Sequence, residues 1–144
     1  MIVKLKKLTP QALIPQRMTP HASGYDLFAC LERPLSIPPG QRSCVPTGIA
    51  VEIPPGYEGQ VRPRSGLALK LGMGILNSPG TIDADYRGEI GVILINLGND
   101  PVDITPGMRI AQLVFNPVVY PEMLESDELS PSHRDSGGFG HSGQ

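Results

Sequence analysis

The sequence has no tryptophan, only two cysteines, and few aromatic residues, which are four tyrosines and three phenylalanines. Two cysteines, Cys30 and Cys44, cannot build the disulfide framework of a small secreted protein, and their spacing is not that of a metal-binding motif. We expect both thiols to be reduced, which favours a cytoplasmic location. With so few aromatic side chains, the core must consist mainly of valine, isoleucine, leucine and alanine.

The sequence also lacks long segments without glycine or proline. The 17 glycines and 16 prolines are so distributed that no run between them exceeds nine residues. Because an average α-helix needs about 11–12 residues, helical bundles and coiled coils are excluded. No segment is long enough to span a membrane, and residues 1–8 alternate apolar and basic side chains, unlike a signal peptide. We therefore expect no membrane partner.

An excess of charge of one sign is absent as well, since 12 basic and 14 acidic residues give a net charge of −2. Proteins that bind polymeric nucleic acid usually have a large basic surface, so we expect no such partner, whereas a small anionic ligand fits this balance. Hydrophobic residues make up 40% of the chain, which is enough for the core of one domain.

Short apolar segments between turn signals predict an all-β fold, either a compact β-sandwich or a jelly-roll-like barrel. The clearest predicted strands are 1–5, 49–53, 91–97 and 109–115. Between such segments, Pro-Gly pairs predict type II turns. These pairs are at 39–40, 55–56, 79–80 and 106–107.

One short helix is predicted at 65–71, with Ser65 as a candidate cap. Residues 122–144 are first acidic and then rich in serine and glycine, so they cannot bury enough apolar surface to fold alone. We predict a β domain over residues 1–121 and a flexible C-terminal arm over residues 122–144.

The segment from Gly80 to Ile90 has the densest set of chemically active side chains, with three acids, an arginine and a tyrosine. Two interpretations are open for Asp83 and Asp85. They belong to a polar hairpin loop with Asx turns, or one of them holds a water molecule as a general base.

Two glycine-containing segments have the composition of phosphate-binding sites. Residues 63–66 combine an arginine fork with a serine hydroxyl at a possible helix start, although an ordinary capped turn has the same residues. Residues 134–143 combine an arginine, serines and glycines with one aromatic ring, Phe139. Two interpretations are open: the segment is a flexible terminus, or it is an arm that wraps around a phosphate chain and stacks its aromatic ring on a base.

Two weaker segments are 22–27, which contains Asp26, and 107–113, which contains Arg109 and Gln112. Each is by itself more typical of a structural strand end. Taken in chain order, however, the five segments resemble the five motifs of the trimeric dUTPase family, the deoxyuridine 5′-triphosphate nucleotidohydrolases. The resemblance extends from residue 22 to residue 143.

The resemblance implies hydrolysis of dUTP to dUMP and pyrophosphate by attack of water on the α-phosphorus. This reaction keeps uracil out of DNA and supplies dUMP for thymidylate synthesis. The cofactor would be Mg²⁺, held mainly by the triphosphate and reached by Asp26 through water ligands. The resemblance also implies a homotrimer with shared active sites.

For the nucleoside, the resemblance implies that Asp83 orients and deprotonates the attacking water. Tyr86 would lie under the deoxyribose and leave no room for a 2′-hydroxyl, which excludes UTP. The uracil would be read by a hairpin whose contacts come from Asn77 and from the backbone at Gly80, Thr81, Ile82 and Gly91.

For the triphosphate, the resemblance implies contacts from Arg64, Ser65, Gly66 and Gln112. In the arm, Arg134 and Ser142 would bind the γ-phosphate, Phe139 would stack on uracil, and Gly140 would belong to the same binding segment. Asp135 and His141 depart from the commonest family pattern, which leaves the contacts around the γ-phosphate open.

Two alternatives use the same scaffold. A non-catalytic nucleotide-binding or regulatory module would have lost Asp83 or the arm, and the sequence has both. A relative of dCTP deaminase would need an additional acid near Arg64 and Ser65, and the sequence has none there.

Overall fold

The structure is a computed structural model that describes residues 1–133, 135 and 136. In this part of the chain, eleven short strands and one helix follow one another. The elements are β1 (Lys4–Lys7), β2 (Tyr25–Phe28), β3 (Leu35–Ile37), β4 (Arg42–Pro46), β5 (Ile49–Glu52), β6 (Tyr57–Arg62), α1 (Ser65–Leu71), β7 (Met73–Ile75), β8 (Gly80–Ile82), β9 (Gly91–Asn96), β10 (Val102–Ile104) and β11 (Arg109–Pro117).

The strands form four antiparallel sheets. The largest has the order β2-β11-β6-β8, the second has the order β4-β9-β7, and two pairs are β1-β5 and β10-β3. The all-β prediction is confirmed, but these sheets do not close into a barrel within the described residues. The strands are short, are separated by prolines and glycines, and pair with strands far along the chain. They therefore form several small sheets instead of one continuous sheet.

The core lies between the sheets and is almost entirely aliphatic. In β9 the side chains alternate between buried and half-buried positions, as expected for a strand with one face on the core. The fully buried side chains include Leu27, Ile49, Ile90, Val92, Leu94, Ile104, Ile110 and Leu113. The composition predicts this core, because the sequence offers few aromatic residues to fill it.

Helix α1 has the bounds that the sequence predicts, but its start differs. The residue before the first turn is Arg64, whose side chain makes no capping hydrogen bond, and Ser65 is already helical. The prediction that Ser65 caps the helix is therefore wrong. The helix ends at Leu71 with Gly72 as its C-terminal cap. None of its residues is fully buried, and Leu67 packs against the core from a half-buried position.

Three of the four Pro-Gly pairs form turns with a positive φ at glycine, at Gly40, Gly56 and Gly107. The fourth differs, because Gly80 begins β8 directly after the cis peptide bond between Ser78 and Pro79. Strand β1 begins at Lys4, three residues later than predicted. Residues 118–133 contain no strand or helix. Among the described residues, no helix is long and apolar enough to cross a membrane.

Candidate active site

A cavity of about 190 Å³ lies where the four-stranded and three-stranded sheets meet. Its walls come from β6 and β8 of one sheet and from β7 and β9 of the other. Seven residues that the sequence assigns to substrate line it: Asn77, Gly80, Thr81, Ile82, Asp83, Tyr86 and Gly91. The remaining walls are Val61, Ile75, Glu89 and Ile93. The lining therefore combines apolar side chains with polar ones, and Asp83 and Tyr86 are exposed at its rim.

The connection between β7 and β8 crosses from one sheet to the other. Strand β7 pairs with β9, whereas β8 pairs with β6, so the predicted hairpin at this position is not a pair of hydrogen-bonded strands. The amide of Asn77 lies over Gly80, where an added Cβ would be 3.2 Å from Nδ2. The close approach presents both the amide of Asn77 and the backbone of β8 to the same cavity.

Asp83 and Tyr86 lie at the two ends of a tight turn at the rim. The N–H of Tyr86 donates to the carbonyl of Asp83 at 3.1 Å, and Arg87 donates to the carbonyls of Ala84 and Tyr86 at 2.6 and 2.9 Å. The carboxylate of Asp83 is exposed and has no hydrogen-bond partner among the described residues. It is thus free to accept a hydrogen bond from a water molecule.

A second polar cluster lies at the other edge of the four-stranded sheet, around Asp26 in β2. The carboxylate of Asp26 is nearly buried, and its two oxygens face different arginines. Arg64 Nε is 3.4 Å from one oxygen, and Arg109 Nη1 donates to the other at 3.1 Å. One negative and two positive charges leave a net charge of +1, which suits an anionic ligand.

Arg64 also joins the cluster to the start of α1. Its Nη1 donates to the carbonyl of Arg109 at 3.1 Å, and the side-chain amide of Gln112 donates to the carbonyl of Pro63 at 3.0 Å. Ser65 and Gly66 follow directly and are exposed. The residues assigned to phosphate by the sequence, Arg64, Ser65, Gly66 and Gln112, therefore lie in one region together with Asp26.

Within one chain the two clusters are far apart. Ile82 pairs with Gly59, so Asp83 lies beside Glu58, at the start of β6, whereas Arg64 follows the other end of the same strand. Arg64 lies six positions after Glu58 along extended backbone, which corresponds to about 20 Å in the direction of the strand. The short side chains of Asp83 and Ser65 cannot bridge this distance to one phosphate group.

No group of three or more histidine, cysteine, aspartate and glutamate side chains is placed to hold a metal ion in residues 1–133, 135 and 136. The carboxylate of Asp26 lies beside Arg64 and Arg109, and these two arginine neighbours oppose the approach of a free cation. The chain thus fits a Mg²⁺ ion that brings most of its ligands with it, as a metal-triphosphate complex does.

Two polar residues of these clusters are not among the predicted site residues, namely Arg109 and Glu89. Arg109 begins β11 and faces Asp26, which precedes it by 83 positions, and no local pattern in the sequence shows this pairing. Glu89 lies in the acidic segment, but its contact with Gly48 is equally non-local. The predicted arm residues Arg134, Phe139, Gly140 and Ser142 lie outside the described residues.

Comparisons with known proteins identify the family of the chain. A family model described as dUTPase matches residues 11–143. The chain is 54% identical over 141 residues to the deoxyuridine 5′-triphosphate nucleotidohydrolase of Syntrophotalea carbinolica, covering 98% of this chain and 96% of that protein. It is 58% identical over 131 residues to the protein of the same name from Chlamydia pneumoniae, covering 90% of each.

Solved structures of phage enzymes are similar over the same length. The dUTPase of Staphylococcus bacteriophage 80alpha with bound dUPNHPP superposes with a TM-score of 0.89 at 30% identity, covering 99% of each chain. A variant of the dUTPase from phage phi11 of S. aureus, which coordinates a structural Mg(II) ion, superposes with a TM-score of 0.81 at 26% identity, covering 89% of this chain and 98% of that one.

Proposed function

This chain belongs to the dUTPase family and hydrolyses dUTP, and we propose that Asp83 activates the attacking water in a site to which more than one copy of the chain contributes. The observation that carries the proposal is the cavity beside Asp83, which brings seven predicted substrate residues together. Its mixture of apolar walls and backbone groups suits a nucleoside better than a charged polymer.

Asp83 is the general base of this proposal. A carboxylate that accepts a hydrogen bond from water can take its proton as the oxygen attacks the α-phosphorus in line with the departing pyrophosphate. The products are dUMP and pyrophosphate. The exposed and unpaired carboxylate of Asp83 supports this role, because no protein donor competes with the water among the described residues.

Base and sugar selection come from the walls of the cavity. Uracil offers one N–H donor between two carbonyl acceptors, whereas cytosine inverts part of this pattern and would leave buried backbone groups unpaired. Asn77 and the backbone of Gly80, Thr81, Ile82 and Gly91 are the groups that we assign to this recognition. The ring of Tyr86 would exclude a 2′-hydroxyl by steric conflict.

The triphosphate binds at the positive cluster, through Arg64, Ser65, Gly66 and Gln112. When bound, Mg²⁺ supplies positive charge to the triphosphate oxygens and orients them. Asp26 would reach the water ligands of that ion, since its carboxylate retains lone pairs that the two arginines do not use. In this role Asp26 also holds Arg64 and Arg109 in place, which its two ion pairs support.

A homotrimer with shared sites is part of the proposal. The distance of about 20 Å between Asp83 and Arg64 along one chain supports it, because both must act on one substrate. The sedimentation mass tests the assembly, and a stable monomer with full activity would contradict shared sites. We assign the reaction to the cytoplasm, which the two free cysteines favour.

In this proposal the C-terminal arm, residues 122–144, closes the active site. Arg134 and Ser142 would contact the γ-phosphate, Phe139 would stack on uracil, and Gly140 would allow close approach of the backbone. Removing residues 134–144 should leave the fold intact and reduce turnover severely. Full activity of the shortened chain would rule out a closing arm.

A panel of nucleotides with detection of pyrophosphate tests the whole proposal. We expect release from dUTP with Mg²⁺, little from dCTP, dTTP or UTP, and near-complete loss in Asp83→Asn with dUTP binding retained. Equal turnover of dCTP, with ammonia released as the product of deamination, would favour a dCTP deaminase relative. Tight binding of dUTP without turnover would favour a non-catalytic module.

A further inference from the structure

The backbone that follows Tyr86 is held by the turn between β4 and β5. The N–H of Gly48 donates to Glu89 Oε1 at 2.7 Å, and the Thr47 hydroxyl donates to the carbonyl of Ile90 at 2.5 Å. The N–H of Ile90 donates to the carbonyl of Ile49 at 2.9 Å. Residues 47–49 are buried, so these three hydrogen bonds join Glu89 and Ile90 to the core.

Tyr86 depends on this segment for its position. Its phenol donates to the main-chain carbonyl of Glu89 at 2.9 Å, and its ring lies against Gly88, where an added Cβ would be 2.9 Å from Cε2. The side chain is 43% exposed, so packing alone leaves it room to move. The carbonyl of Glu89 therefore determines where the ring lies.

Glu89 connects the two sets of contacts. Its carbonyl holds the phenol of Tyr86, and its carboxylate holds its own backbone against the buried N–H of Gly48. We propose that Glu89 is a positioning residue that fixes the Tyr86 ring and thereby sets the discrimination between deoxyribose and ribose. The inference rests on the proposed function of Tyr86 in excluding the 2′-hydroxyl.

The test measures the ratio of kcat/KM for dUTP to kcat/KM for UTP in matched variants. In Glu89→Ala the ratio should fall about tenfold, the effect expected for the loss of one hydrogen bond. In Glu89→Gln it should stay within about twofold of the wild type, because the amide oxygen can still accept from Gly48. Glu32→Ala, at an exposed glutamate outside the cavity, should leave the ratio unchanged.

A second variant removes the other hydrogen bond of Glu89, the one between its main-chain carbonyl and the Tyr86 phenol, and does not alter the contact between Glu89 and Gly48. Tyr86→Phe removes the phenol oxygen at an exposed site, so the fold should persist, and the ratio should fall about as much as in Glu89→Ala. An unchanged ratio in Tyr86→Phe overturns the inference even if Glu89→Ala does not fold.

The remaining outcomes separate the inference from the function on which it rests. If Tyr86→Ala leaves the ratio unchanged, the proposed role of Tyr86 is wrong. If Tyr86→Ala lowers the ratio and a folded Glu89→Ala does not, only the positioning role of Glu89 is wrong. If the ratio falls as far in Glu89→Gln as in Glu89→Ala, the effect is caused by loss of the negative charge and not by loss of the hydrogen bond. That result also overturns the positioning role.

Discussion

The fold of the chain without ligand does not require a glycine at position 66, as the surroundings of Gly66 show. It is the second residue of α1, it is exposed, and an added Cβ would meet nothing within 4 Å. Alanine in a helix is more favourable than glycine by up to about 1 kcal/mol. The proposed reason for glycine is functional, since a phosphate approaches the backbone most closely where there is no side chain.

We predict that Gly66→Ala keeps or slightly raises the thermal stability and raises the KM for dUTP at least about tenfold, the effect of losing one charge-assisted contact. Thermal unfolding and steady-state kinetics on the same preparation measure both. The matched control is Ala68→Gly on the same helix, which should lower stability by about 0.5–1 kcal/mol without changing KM. An unchanged KM in Gly66→Ala would remove this residue from the phosphate-binding site.

At the scale of elements, two glycines with the same backbone conformation distinguish the conformational cost of an added side chain from its steric cost. Gly72 ends α1 with a φ of 66°, and its added Cβ would be 2.6 Å from the backbone nitrogen of Gly98. Gly40 has a φ of 73° and open space around it. Alanine costs about 1–2 kcal/mol in the left-handed region, and a forced backbone shift adds about 1–3 kcal/mol.

Gly72→Ala should therefore destabilise the protein by about 2–5 kcal/mol and Gly40→Ala by about 1–2 kcal/mol, because only Gly72 meets a neighbouring backbone. Urea denaturation at one protein concentration measures the difference. Equal losses in the two variants would mean that the turn at Gly98 moves away at no cost, and that the contact with Gly72 does not hold the end of α1.

The edge pair of β1 and β5 predicts a pH effect. Lys4 lies opposite Glu52 in the register, and its Nζ donates to the carboxylate at 2.9 Å. This hydrogen bond and the charge of Lys4 lower the pKa of Glu52 below its ordinary value of 4.5, with a smaller contribution from the charge of Arg87. An acid with a lowered pKa in the folded state stabilises the fold above its ordinary pKa and loses this contribution as pH falls through the lowered value.

Lys4→Met should raise the pKa of Glu52 back towards 4.5, as followed by NMR titration of its carboxyl carbon. The stability difference between this variant and the wild type should be present at neutral pH and disappear in acid, as Glu52 takes up a proton. Lys6→Met, two residues further along β1, is the control and should leave the pKa unchanged. An unaltered pKa in Lys4→Met would show that solvent screens this exposed pair completely.

The accuracy of the sequence prediction differs between elements for physical reasons. Helix α1 is predicted to its bounds because Pro63 and Gly72 delimit a short segment in which residues 67–71 are strong helix formers. The start of β1 is missed by three residues, because its bounds are set by pairing with β5 and not by local composition; Glu52, the partner of Lys4, lies 48 positions further along the chain. The crossing of β7 and β8 between two sheets is likewise set by their partners.

The accuracy of the sequence prediction also differs between the parts of the candidate site. The seven predicted substrate residues that line the nucleoside cavity lie within one segment, Asn77 to Gly91, and a local motif is enough to indicate them. The contacts between Arg109 and Asp26 and between Glu89 and Gly48 join distant strands. A single sequence carries no signal for such pairs, so only the folded chain shows which side chains support the predicted residues.

At the scale of the whole molecule, the separation of Asp83 and Arg64 within one chain makes a sharp prediction. If Asp83 from one subunit and Arg64 from another act on the same substrate, two variants that are each inactive can restore activity together. Asp83→Asn and Arg64→Ala should each lose most turnover alone. In an equal mixture that is unfolded and reassembled, about a quarter of the sites should receive an intact Asp83 and an intact Arg64.

Turnover of the mixture should therefore recover to about a quarter of the wild-type value per site, provided that subunits assemble at random. Mixing Asp83→Asn with Asp83→Ala is the matched control, because no arrangement of these chains supplies the missing carboxylate. Mixing the two folded variants without unfolding separates subunit exchange from an effect of concentration. If the reassembled mixture stays as inactive as its components, each site takes both residues from one chain, and the chain must then bring Asp83 and Arg64 together by a rearrangement of β6.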